Sequence, residues 1–122
     1  MYNGRAIAAG MAIGLAGLLN LHLGGGLPGA LAFGIGLLLV CVLRLDLLTG
    51  KMRAYHDGKI KFVELLLCLG GNIIGVYVMY GLGTALPSYP QIKAAATAIV
   101  MARADIGVGF VFIRGIICGI CV

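Results

Sequence analysis

Polar residues in this chain are gathered into short gaps between long apolar runs. The pattern is neither the two-residue alternation of a half-buried strand nor the narrow apolar stripe of a soluble helix. The first run extends from Ala6 to Leu23 behind Arg5, the second from Leu27 to Leu43, the third from Phe62 to Leu86, and a fourth starts near Ile106 and continues to Val122. A membrane-crossing helix needs about 20 such residues. The runs therefore predict an all-α polytopic membrane protein, with a single membrane domain over 1–122. It would hold three full transmembrane helices at about 6–23, 27–48 and 62–86, and a partial fourth at 104–122. The first run follows a charge as a signal peptide does, but no small-residue cleavage site precedes His22 and three more runs follow, so it reads as a retained span. The shorter run Ile92 to Ala102 reads as an interfacial helix or part of a re-entrant segment.

Composition sharpens the class. Apolar residues make up 61% and charged residues 11% of 122 positions, against a charged share of about 25% in soluble domains. So few charges could not cover a domain of this size in water, which excludes a soluble globule and a disordered tail. The nine Lys and Arg residues against four Asp and Glu do not form a nucleic-acid stripe, because they lie in the gaps between runs.

Their distribution predicts orientation. Lys51, Arg53, Lys59 and Lys61 crowd one gap, Gly24-Gly25-Gly26 carries no charge, and the gap around Pro87 and Pro90 has only Lys93. By the positive-inside rule the basic segment 51–61 is cytoplasmic, and Arg5 places the N-terminus on the same side. The expected location is integral to a membrane, with the N-terminus on the cytoplasmic side.

Glycine supplies the packing signal. Gly10/Gly14, Gly71/Gly75 and Gly115/Gly119 are small-xxx-small pairs in three different runs. Such pairs let helix backbones approach closely where lipid provides no hydrophobic drive for association. They predict a tightly packed bundle and favour an oligomer; the general glycine richness of membrane helices accounts for part of the same pattern.

The stretch Leu43-Arg44-Leu45-Asp46-Leu47-Leu48-Thr49-Gly50-Lys51 departs most from its surroundings. A charge at membrane depth costs about 2.5–3.5 kcal/mol on insertion scales, so it faces a partner or water. One reading is an interrupted second helix whose free backbone amides and Thr49 hydroxyl meet a small polar solute. The other is an ordinary helix end with Arg44 and Asp46 paired among lipid headgroups. Arg103, just before the fourth run, either snorkels to the headgroups or gives the mouth of a pathway a positive potential. Arg114 lies deeper and must face protein, water or the interface. Asn72 is an amide inside an apolar run, which first suggests a hydrogen bond to a neighbouring helix and second a pathway role.

Cys118-Gly119-Ile120-Cys121 matches C-x-x-C, but without a second pair or a βαβ context it reads as apolar packing. His22 and His56, expected in loops, have no ligand spacing, so neither a metal nor a cofactor is expected. With Ser88 the only serine and no nucleophile–base pattern, the chain does not read as an enzyme.

Three of these segments together resemble the formate/nitrite transporter family. Asp46-Leu47-Leu48-Thr49-Gly50-Lys51 is similar to that family's acidic-Leu-Phe-Thr-Gly stretch, Gly71-Asn72-Ile73-Ile74-Gly75 to its Gly-Asn-x-x-Gly, and Arg114-Gly115-Ile116-Ile117-Cys118 to its Arg-Gly-Ile-Leu-Cys. The resemblance implies passage of small monovalent anions such as formate, nitrite and hydrosulfide, and a pentamer with one pore per protomer. It implies a pathway drawn from Asp46, Leu48, Thr49, Gly50, Asn72 and Arg103, with Thr49 on the loop that breaks the second helix. Arg103 stands where the family usually has lysine, near the outer vestibule; its guanidinium keeps the charge without deprotonating. Leu48 replaces a common phenylalanine and Gly119 a common asparagine. Members have six spans in two inverted halves, with a central histidine in the second. This sequence covers the first half and ends at Val122 with no polar stop, as a truncated product or incomplete gene model would. The competing expectation is a non-transporting membrane subunit or fragment that only packs into an assembly.

Overall fold

The computed structural model describes residues 2–121, with side chains over 4–118. Among them are six helices and no strand: α1 (Tyr2–His22), α2 (Gly26–Val42), α3 (Leu48–His56), α4 (Phe62–Thr84), α5 (Tyr89–Ala104) and α6 (Val108–Cys121). The all-helical expectation holds; the division into spans differs. Gly4–His22 and Phe62–Thr84 are long and apolar enough to cross a membrane, and α5 with α6 adds a third such unit only if the pair, bent by 112°, counts as one. α2 has 17 residues, about 25 Å at 1.5 Å per residue, short of a hydrocarbon core of about 30 Å. The expected span 27–48 is thus divided, with α2 ending at Val42 and α3 beginning at Leu48. His22 and His56 end α1 and α3 instead of lying in loops.

The turn between α1 and α2 shows why glycines stand there. Gly24, Gly25 and Gly26 have φ of 71°, 73° and 65°, a left-handed run that a side chain would strain at every step. The reversal sets α2 antiparallel to α1: Gly29 packs on Asn20, and Gly36 packs on Ala16. α4 instead runs parallel to α1. Gly71 faces Ala6, Gly75 faces Ile7 and Gly10, Gly14 faces Met79, and Gly83 faces Leu18, a register advancing equally along both helices.

Glycine makes this approach possible. A methyl group at Gly71 would lie 2.6 Å from Ala6 Cβ, one at Gly75 2.8 Å from Gly10 Cα, and one at Gly14 2.9 Å from Met79 Cβ. At Gly10 it would overlap the Asn72 carbonyl. Four of the six glycines expected to pack, Gly10, Gly14, Gly71 and Gly75, therefore form one seam inside the chain. On α1 the buried side chains are small, Ala6, Ala9 and Ala16, and Val40, Leu65, Cys68 and Ile92 from other helices are buried with them. Gly115 has no neighbour among the described residues of this chain: a methyl group there would meet nothing within 4 Å, and every described side chain of α6 is exposed. Gly119 lies outside the described side chains.

Because α1 and α4 pair from Ala6 with Gly71 onward, the first turns of α4 extend beyond the start of α1. α3 covers them. It runs antiparallel to α4, with Leu48 beside Asn72 and the ring of Tyr55 6.1 Å from that of Phe62. The segment 43–47 between α2 and α3 therefore lies level with the middle of α4 and with the start of α1.

Candidate functional site

The break begins where Arg44 takes φ +50°, a left-handed conformation unusual for a residue with a side chain. Its carbonyl accepts a hydrogen bond from the Arg5 guanidinium on α1. The chain then runs extended through Leu47 (φ −91°, ψ 141°) and restarts as α3 without a side-chain cap from Leu47. A helix start leaves backbone N–H groups unpaired. Here the Leu48 N–H donates to Asn72 Oδ1 on α4 at 3.0 Å. Asn72 Nδ2 in turn donates to the Asp46 carbonyl at 3.0 Å and to the Ala6 carbonyl at 2.8 Å. The Cys68 thiol, one turn earlier on α4, donates to the same Asp46 carbonyl at 3.2 Å. The Arg44 and Asp46 carbonyls and the Leu48 N–H freed by the break are thus met by groups on α1 and α4, the condition on which an irregular backbone is tolerated among apolar helices.

Beside the break is an open cleft of about 700 Å³ between α2 and α3, where Arg44, Asp46, Thr49, Gly50, Lys51 and Arg53 meet apolar walls from Leu37, Val40 and Leu47. The Asp46 carboxylate forms an ion pair with Lys51 at 3.1 Å, both side chains being largely covered. The expected alternative pairing of Asp46 with Arg44 is not the one formed. Three cations and one carboxylate line the cleft, so its field is net positive.

Five of the six expected pathway residues gather here. Asp46, Thr49 and Gly50 line the cleft, while Leu48 and Asn72 lie beside it without lining it, joined by the hydrogen bond from the Leu48 N–H to Asn72 Oδ1. Thr49 and Gly50 do so from the first turn of α3; the loop is 43–47, and Thr49 does not sit on it. The helix restarts at Leu48, whose N–H is bonded by Asn72. Arg103 is not brought to this cleft. It is exposed in the last turn of α5, ahead of the Gly107 bend (φ +81°). Arg114 is exposed on α6.

Arg5, Cys68 and Lys51 were not anticipated as partners of the break. Arg5 and Cys68 meet it across sequence separations of 39 and 22 residues, which no local pattern encodes. Lys51 stood in the sequence as one of four cations in the segment 51–61 and as the last residue of the Asp46–Lys51 motif, not as the partner of Asp46.

A parallel pair of glycine-seamed apolar helices, a divided second helix and a bent helix pair define an all-helical protein with two helices, or three units if the bent pair counts as one, long and apolar enough to cross a membrane. The model of the formate/nitrite transporter family matches residues 2–122, and the chain belongs to that family. Membership carries a general role in membrane transport, in a family of channels and transporters whose work is not enzymatic. No curated protein and no solved structure matches the chain significantly.

Proposed function

We propose that this protein passes small monovalent anions of the formate and nitrite type, and that their route runs beside the break at 43–47. The cleft between α2 and α3 carries the reading: Arg44, Lys51 and Arg53 line it against Asp46 alone. With Asp46 held by Lys51, two guanidinium groups remain to set the local potential, which concentrates anions and repels cations. The Thr49 hydroxyl and the Thr49 and Gly50 amides of the first turn of α3 replace part of the ion's hydration shell as it passes. Arg103 acts earlier, as an exposed positive charge that draws anions toward the mouth. The protein works as a homo-oligomer, a pentamer as the family resemblance implies, in a bacterial plasma membrane with the N-terminus and segment 51–61 in the cytoplasm.

The test is formate and nitrite flux through the purified protein in liposomes, measured against sodium flux. Arg103→Glu is expected to lower anion flux several-fold, while Arg103→Lys keeps most of it. Equal flux for all three forms removes the attractor role, and absence of anion flux from the parent protein favours a purely packing subunit.

A further inference from the structure

The Asn72 carboxamide contacts three separate backbone segments at once. Oδ1 accepts from the Leu48 N–H of α3 at 3.0 Å, while Nδ2 donates to the Asp46 carbonyl in the break at 3.0 Å and to the Ala6 carbonyl on α1 at 2.8 Å. A carboxamide offers two N–H donors and an oxygen with two lone pairs. Both donors and one lone pair are used. The opposite orientation would set the oxygen against two carbonyls and the NH2 against an N–H, so these partners select the one observed. Asn72 is half-buried and is not among the residues lining the cleft.

A helix is ordinarily capped by the residue just before it. Leu47 has no side-chain oxygen, and the cap for α3 comes from 24 residues away on another helix. The start of α3 therefore cannot swing or slide relative to α4 without losing its cap, and the Asp46 carbonyl would then keep only the Cys68 thiol. On the same carboxamide, the bond to Ala6 ties this junction to the rigid α1–α4 seam.

We propose that Asn72 is a positioning residue of the pathway: by bridging α1, the break and α3 it holds Thr49 and Gly50 against the cleft, and it does not itself touch the ion. This rests on the reading that anions pass beside the break, and it reassigns Asn72 from the lining to the frame.

The experiment compares the full-length parent protein with Asn72→Leu and Asn72→Asp, following nitrite flux in liposomes and backbone hydrogen exchange. Asn72→Leu keeps the side-chain size but removes every tie. It is expected to lower flux at least tenfold and to speed exchange at the Leu48 amide at least tenfold, while Gly75 in the seam stays protected. Asn72→Asp discriminates by pH. Its neutral acid accepts from Leu48 and donates one bond; its ionised form accepts only and repels the Ala6 and Asp46 carbonyls. Flux relative to the parent at the same pH is expected to recover as pH falls, with no recovery in Asn72→Leu.

The proposal is overturned if Leu48 stays protected in Asn72→Leu, or if Asn72→Asp shows the same relative flux at every pH. Should Asn72→Leu not assemble, the pH profile of Asn72→Asp decides. A parent protein that carries no anion defeats the transport reading alone; the exchange at Leu48 still decides whether Asn72 holds the break.

Discussion

The α1–α4 seam and the break beside it are held together in opposite ways. Along the seam, backbones meet through Gly10, Gly14, Gly71 and Gly75, without a side-chain hydrogen bond beyond that of Asn72. Its strength is steric and continuous, spread over several helical turns. At the break there is little close packing, and the geometry depends on a few polar ties: Asn72 on three backbone groups, Arg5 on the Arg44 carbonyl and Lys51 on Asp46. A dense apolar seam tolerates no added volume. A polar junction tolerates volume but not the loss of a partner. This difference suits a transporter, in which a rigid frame supports a segment where backbone and charge stay accessible to a hydrated solute.

The contrast is sharpest for substitutions that add volume. Gly75→Leu would drive a side chain into the Ile7 carbonyl and Gly10, where neither backbone can yield. A loss of more than about 3 kcal/mol is expected, beyond ordinary overpacking, read as failure to recover folded protein in detergent. Normal thermal stability of Gly75→Leu would mean that the seam is not close-packed. Asp46→Asn removes the ion pair with Lys51, both side chains of which are largely covered, and leaves the Asp46 backbone ties in place, so a loss of about 1.5–3 kcal/mol is expected in detergent unfolding. A loss matching that of Gly75→Leu would place the frame at the break and reverse the comparison.

Gly50→Ala has the other sign. Gly50 is helical, nothing lies within 4 Å of a methyl group there, and its φ is not positive. A gain of about 0.5 kcal/mol or slightly more is expected from helix preference; a loss in the same unfolding measurement would mean that the chain visits a conformation only glycine permits. Gly115→Ala is the smallest case. With open space around it, a change within about 0.5 kcal/mol is expected. A larger loss in the purified assembly would locate a packing partner for α6 in another subunit.

Helical class and element positions were legible in the order of residues because helices in lipid satisfy their own backbone and need only length and apolarity. The run Phe62 to Leu86 became α4, and the run Leu27 to Leu43 became α2. Glycine spacing also carried the seam, since a small-xxx-small pair needs only one facing backbone. The same spacing at Gly115 meets no described helix of this chain. At the site, local sequence left open whether Arg44 to Lys51 interrupts the second helix or ends it, and the family resemblance implied Thr49 on the loop, whereas α3 already begins at Leu48. The Leu48 amide at that restart is bonded by Asn72, and sequence patterns carry no record of a cap supplied from another helix.

The order of residues by itself determined the apolar spans, the tri-glycine reversal, the basic segment 51–61 and the motifs that mark the family. Each depends on local chemistry: chain length against bilayer thickness, φ preference, or charge near a helix end. Only the tertiary structure decided that α1 and α4 run parallel, that Asp46 pairs with Lys51, and that Asn72 joins three strands of backbone at the break. Those contacts are made between groups far apart in the chain, and their partners become definite only when helix register brings the atoms within bonding distance.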